Sequence, residues 1–136
     1  MTAEKERALV ARYRNLFPSD KDMNDLSKYC LAFGFECGDG WYGILDRMMS
    51  KIASLNPKEF RFVQIKEKYG ALRVYWGASG DEAEDFWEKV DAIIDEAELA
   101  SAGTCEECGD EGRIIAIRGW FTSICTKCEE KRKVER

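Results

Sequence analysis

The chain of 136 residues contains no histidine. That absence removes a Cys/His nucleophile pair and leaves thiolates and carboxylates as the metal donors. A basic excess is missing as well: 21 Lys and Arg face 26 Asp and Glu, a formal net charge of −5. The deficit lies in residues 1 to 103, with 14 basic against 19 acidic side chains, while residues 104 to 136 carry seven of each. Such a surface repels phosphate at long range, which leaves nucleic-acid binding only to a local patch. No apolar run approaches the ~20 residues that span a bilayer. Met1 to Arg12 is charged and lacks the apolar segment of a signal peptide. The expectation is therefore a cytoplasmic protein with no membrane partner. In a reducing cytoplasm, six cysteines read as two thiols and a metal site before they read as three disulfides. There is no internal repeat, low-complexity tract or long linker.

What is present divides by period. Thr2 to Phe17 places Ala8, Leu9, Tyr13, Leu16 and Phe17 on one helical stripe, with Pro18-Ser19-Asp20 as a stop. Asp22 to Phe33 repeats Met23, Leu26, Cys30 and Phe33 at helical spacing, and Gly34 breaks it. Tyr42 to Leu55 carries Ile44, Leu45, Met48, Met49 and Ile52 on one face before Asn56-Pro57. From Phe60 to Trp76 the period becomes two, which predicts a β-hairpin turning near Gly70. The clearest helix runs from about Glu82 to Ala102, with Phe86, Val90, Ile93, Ile94 and Ala97 on one side and Gly103 as its cap. The predicted class is α+β: helices packed on a small antiparallel hairpin in residues 1–103, then a ribbon-like module in 104–136 packed on that core.

Cys105-Glu-Glu-Cys108 and Cys125-Thr-Lys-Cys128 are two CxxC pairs separated by 16 residues, within the window for four-thiolate zinc sites. Each CxxC turn directs two sulfurs to one point, and two turns complete the tetrahedron that Zn2+ prefers. Arg113 to Arg118 is strand-like, Gly119-Trp120 reads as a turn, and Phe121 to Ile124 returns to the second pair. Four protein thiolates close the coordination shell and leave no position for a reactive water. The expected cofactor is one structural zinc, with no catalysis at the metal.

Other residues admit both plain and functional readings. Gly38-Asp39-Gly40-Trp41 opens a helix, so its amides could meet an anion; equally, Asp39 could cap the helix while Trp41 packs inward. Cys30 and Cys37 read as buried apolar thiols. Glu36, Asp39 and Glu67 form a weaker carboxylate candidate for a metal. Lys66 and Lys68 share a strand face beside Tyr69 and Arg73 and could contact phosphate or an acidic partner, although a solvated edge is the commoner fate of such charges. Lys131-Arg132-Lys133 reads as a frayed charged tail.

Three strings carry a resemblance: Cys37 to Trp41 followed by Ile44-Leu45, then Gln64 to Arg73, then Cys105 to Cys128 with Gly119-Trp120. In this order and spacing, over about residues 30 to 128, the chain resembles a family of small proteins encoded by tailed bacteriophages and prophages. The resemblance implies an accessory protein that acts in an infected bacterial cell against a host defence or regulatory system, and not a virion building block; the leading expectation is a non-enzymatic protein that binds a host bacterial protein. It also implies a shared site made of Cys37, Gly38, Asp39, Gly40, Trp41, Lys66, Lys68, Tyr69 and Arg73. Residues 1 to 29 lie outside the pattern. Two alternatives stand beside this expectation. One is a protein that sequesters a small anionic or nucleotide-like ligand at that loop. The other is a nucleic-acid-binding zinc-ribbon regulator using Arg113, Arg118, Lys127 and the Lys131 cluster.

Overall fold

A computed structural model describes residues 1–134. Helix α1 (Ala3–Arg12) begins at Thr2, whose hydroxyl accepts from the Lys5 amide, with Glu4 and Glu6 in the first turn. Carboxylates there complement the exposed amides of a helix N-terminus. The predicted helix to Phe17 stops at Arg12, and Arg14–Leu16 forms one tighter 3-10 turn. The cause is Pro18, which holds Phe17 extended at φ −120°, ψ 152°. The break turns Leu16 and Phe17 into the core. The Tyr13 hydroxyl pins α1 to the next long helix by donating to Asp46 Oδ1 at 2.6 Å.

The helix expected over Asp22 to Phe33 does not form. Helix α2 is a single turn, Asp20–Met23, and a 3-10 turn at Cys30–Phe33 ends at Gly34 with φ +77°. Between them the Asp25 carboxylate accepts from the Ser27 amide and hydroxyl at 3.0 and 2.6 Å. This local closure competes with helix formation. Leu26 and Phe33, expected on the buried face, are 59% and 66% exposed. Cys30, expected as a buried thiol, is exposed too.

Helix α3 (Tyr42–Ala53) buries Ile44, Leu45, Met48, Met49 and Ile52, the face read from the sequence. Strands β1 (Arg61–Lys68) and β2 (Ala71–Gly77) pair antiparallel, with a bulge between Phe62 and Gln64. The bulge shifts the alternation by one residue, so Phe62 and Ile65 both point inward beside Leu72 and Val74. Tyr69 and Gly70, at φ +56° and +85°, make a two-residue turn of the mirror-image kind that suits strand twist.

Helix α4 (Phe86–Ala102) packs on β2 and α3 through Phe86, Val90, Ile94, Ala97 and Ser101. It starts four residues later than predicted because Glu82 has another task. Its carboxylate accepts from the amides of Lys58 and Glu59 at 2.6 and 2.8 Å and closes the loop before β1. One apolar cluster joins α1, α3, β1, β2 and α4, with Phe60 and Phe62 at 4.8 Å between ring centroids near its centre.

The tail contains a second antiparallel pair, β3 (Arg113–Ile117) and β4 (Trp120–Ile124), and helix α5 (Thr126–Val134). Trp120, read as part of the turn, is the first residue of β4; Arg118 and Gly119 make the turn at φ +51° and +84°. Lys131-Arg132-Lys133 is helical, not frayed, and the Arg132 guanidinium pairs with Glu107. A small second apolar cluster gathers Cys105, Ile124 and Cys125, with Ile115 and Cys128 against it. The fold is thus α+β, with two small hairpin sheets and a C-terminal cysteine cluster.

Candidate metal centre and its seat on the core

The two CxxC turns bring their sulfurs together. All four Sγ atoms of Cys105, Cys108, Cys125 and Cys128 lie within 4.8 Å of one another. Cys108 and Cys125 are 3.6 Å apart at sulfur, far beyond the ~2.05 Å of a disulfide. Instead the separation approaches the ~3.8 Å edge of a sulfur tetrahedron with bonds of ~2.3 Å to a central ion. The first turn is closed by Gly109 donating to the Cys105 carbonyl at 2.9 Å, with Gly109 at φ +87°. The Asp110 amide points at Cys108 Sγ at 3.5 Å and the Cys128 amide at Cys125 Sγ at 3.4 Å.

Electrostatics favour an ion here. Burial pushes the Cys105 thiol up, but amide hydrogen bonds, among them those from Cys108 and Glu107, outweigh it and bring it down to about 7. Desolvation and the neighbouring sulfurs push Cys128 in the opposite direction. Four negative sulfurs cannot share this volume without a cation to neutralise them. The donor set therefore fits a metal ion with a closed tetrathiolate shell. Among the described residues it is the one cluster of cysteines and carboxylates with donor atoms close enough to hold an ion. Glu36, Asp39 and Glu67 do not form such a cluster.

The glycine-rich loop is where this module meets the core. The amide of Gly38 donates to Glu106 Oε2 at 2.8 Å, the amide of Gly40 donates to the Glu106 carbonyl at 2.8 Å, and Trp41 Nε1 donates to the Thr104 carbonyl at 3.0 Å. A Cβ on Gly38 would stand 2.2 Å from the Glu106 carbonyl oxygen, and one on Gly40 would stand 2.2 Å from that of Cys105. Both positions are glycine because the backbone of the first cysteine turn lies directly against them. The Gly38 amide meets a carboxyl group, the protein's own Glu106, and the Gly40 amide is taken by the backbone carbonyl of the same residue. Burial raises the Glu106 carboxyl above its ordinary value, while the Gly38 amide opposes that shift.

The neighbours of the loop are equally committed. Asp39 caps no helix; its Oδ1 accepts from the Thr2 amide at 2.8 Å and ties the start of α1 to the loop. Trp41 is wholly buried. Burial pushes the Cys37 thiol up to about 12, so it is neutral and a poor nucleophile at physiological pH.

The basic hairpin stands in two environments. Lys66 lies opposite Arg73 and beside the chain entering the loop, where Glu36 donates to the Ile65 carbonyl at 3.0 Å and accepts from the Glu67 amide at 2.9 Å. Arg73 Nη1 donates to the Leu72 carbonyl at 3.0 Å. Lys68 lies 5.4 Å from the centroid of the Tyr69 ring, and both belong to the turn that faces the tail. There the Gly70 carbonyl accepts from Ser123 Oγ at 2.5 Å, and a Cβ on Gly70 would meet Ile114 Cγ2 at 3.0 Å. Of the residues expected to form one ligand site, the glycine loop and the Lys68-Tyr69 turn meet the tail at two different places, while Lys66 and Arg73 lie along the hairpin between them. Sequence reasoning missed Glu106, an acid inside the first CxxC, and it missed the exposed Trp120 and Phe121, whose only signal was an aromatic pair after a turn with no assigned partner.

Fold and site together define an α+β protein whose tail is built around a four-cysteine cluster that fits a metal ion and is docked on a glycine loop of the core. Among the described residues no helix is long and apolar enough to cross a membrane. No family model, curated protein or solved structure matches the chain.

Proposed function

We propose that the metal is zinc, that it is structural, and that the protein is a non-enzymatic binder of a host bacterial protein. Zinc is supported by four cysteine sulfurs within 4.8 Å of one another, a donor set that fills its preferred four-coordinate shell in a chain without histidine. Bound there, it contributes folding energy, about 10 to 16 kcal/mol of apparent affinity in comparable peptides. Elemental analysis should find one zinc per chain, lost in Cys125→Ser; stoichiometric iron with visible absorption would overturn the assignment.

The observation that carries the binding role is the occupied loop. Glu106 takes the two amides that a phosphate would need, which weighs against the anionic-ligand reading. Nucleic-acid recognition by the tail is weakened because Arg113 and Arg132 are already paired with Glu129 and Glu107. The resemblance of its motifs to those of phage and prophage proteins supports a target in the bacterial host cytoplasm, in a defence or regulatory system. Affinity capture from a bacterial lysate should retain one host protein in stoichiometric amount, while a thermal-shift screen of nucleotides should show no stabilisation. A reproducible nucleotide shift without a retained protein reverses the assignment.

A further inference from the structure

The tips of the two hairpins meet in an open cleft of about 310 Å³ lined by Glu67, Lys68, Tyr69, Gly119, Trp120 and Phe121. Three rings border it with little cover: Tyr69 is 67%, Trp120 80% and Phe121 52% exposed. Leaving that much aromatic surface in water forgoes burial energy the fold could have used, and exposed patches of this kind mark contact surfaces. Rigid backbone presents the rings, since both turns are two-residue turns with positive φ and Ser123 Oγ bonds one hairpin to the other at Gly70.

Beside the rings two basic side chains, Lys68 and Arg118, stand against one acid, Glu67. Lys68 in the cleft wall and Arg118 in the adjoining turn make no ion pair among the described residues. Glu67, the acid in the cleft, has its carboxylate engaged by the Gly70 amide at 2.7 Å. On a chain of net charge −5, this is a local basic rim around an aromatic centre, and Trp, Tyr and Arg are the residue types that dominate binding energy at protein interfaces.

We propose that this cleft is the docking surface for a partner protein, and that it takes an acidic segment of that partner carrying an aromatic or aliphatic anchor between Asp or Glu residues. Trp120, Tyr69 and Phe121 receive the anchor; Lys68 and Arg118 receive the carboxylates. The proposal rests on the protein-binding reading above and gives it a location.

The test is to pan a random-peptide display library on the zinc-loaded full chain, then measure fluorescence anisotropy with the peptides it enriches. Acidic peptides with an aromatic or aliphatic centre are expected, with affinity falling as sodium chloride is raised. Trp120→Ala should weaken them by at least about tenfold, and Lys68→Glu should weaken them too. Both side chains are exposed, so circular dichroism should not change. Failure to enrich peptides, or peptides indifferent to both substitutions, overturns the proposal. Binding of labelled oligo-dT that both variants lose assigns the surface to nucleic acid and overturns it as well. Lysate capture by wild type and Trp120→Ala separates the two levels: a host protein kept equally by both leaves the protein-binding reading standing and removes this surface from it.

Discussion

Gly38 and Glu106 are 68 residues apart in sequence, and the amide of the first donates to the carboxylate of the second at 2.8 Å. The contact makes the glycine loop a receptor for the protein's own metal-binding turn. It explains two glycines without a ligand: at each, a methyl group would fall on a backbone carbonyl oxygen of Cys105 or Glu106.

Gly40→Ala should therefore destabilise the protein by about 3 kcal/mol or more, the upper range for overpacking, because the obstacle is backbone and cannot rotate away. Gly43→Ala is the comparison. Its added methyl meets only Arg47 at 3.6 Å, inside α3, and a gain of about 0.5 kcal/mol is expected from reduced freedom of the unfolded chain. Urea denaturation of the two variants measures both.

Glu106 also carries a pH signature. Its carboxyl is raised in the fold, first by burial, so the native state holds a proton more firmly than the unfolded chain does. Such a group stabilises below its unfolded value and progressively loses that contribution as pH rises through the folded one. Glu106→Gln keeps an oxygen for the Gly38 amide and removes the titration. The variant should match wild type in acid and exceed it near neutrality. Denaturation midpoints across pH provide the check, and a variant weaker at every pH would contradict the sign.

Much of this architecture was legible in the residues, and the exceptions have physical causes. The α3 face and the two CxxC pairs were readable because local spacing alone fixes them. The helix expected at Asp22 to Phe33 failed because Asp25 and Ser27 satisfy their own backbone, a competition that a periodic pattern does not register. The Phe62 and Ile65 pair shares a face only because of a bulge. The glycine loop was recognised as special, but its partner was not. Glu106 lies inside a metal motif, and only the tertiary fold brings that motif to Gly38.

Removing the metal should unfold the tail before the core. The tail's own apolar cluster is small, whereas Ile65, Leu72 and Val90 belong to the main core. A chelator, or Cys125→Ser, should abolish hydrogen-exchange protection at Ile115 and Thr122 while leaving protection at Val90 and Ile94 within α4. Simultaneous loss at all four amides would mean that core and tail unfold as one unit.

Two buried hydroxyls join the elements, and their removal should be unequal. Ser101 Oγ accepts from the Leu72 amide at 2.8 Å and donates to the Glu98 carbonyl at 2.6 Å. Ser123 Oγ donates to the Gly70 carbonyl at 2.5 Å. Ser101→Ala strips the Leu72 amide of its acceptor beside a fully buried side chain, and an orphaned buried donor costs about 1 to 3 kcal/mol. Alanine's better helix propensity returns about 0.5 kcal/mol of that. Ser123→Ala leaves only a carbonyl without its donor, and a single lost hydrogen bond costs about 1 kcal/mol. Ser101→Ala should therefore be the more damaging substitution and should specifically speed exchange at the Leu72 amide. Equal midpoints with Leu72 exchange unchanged would show that this helix-to-strand bond carries no weight in the native state.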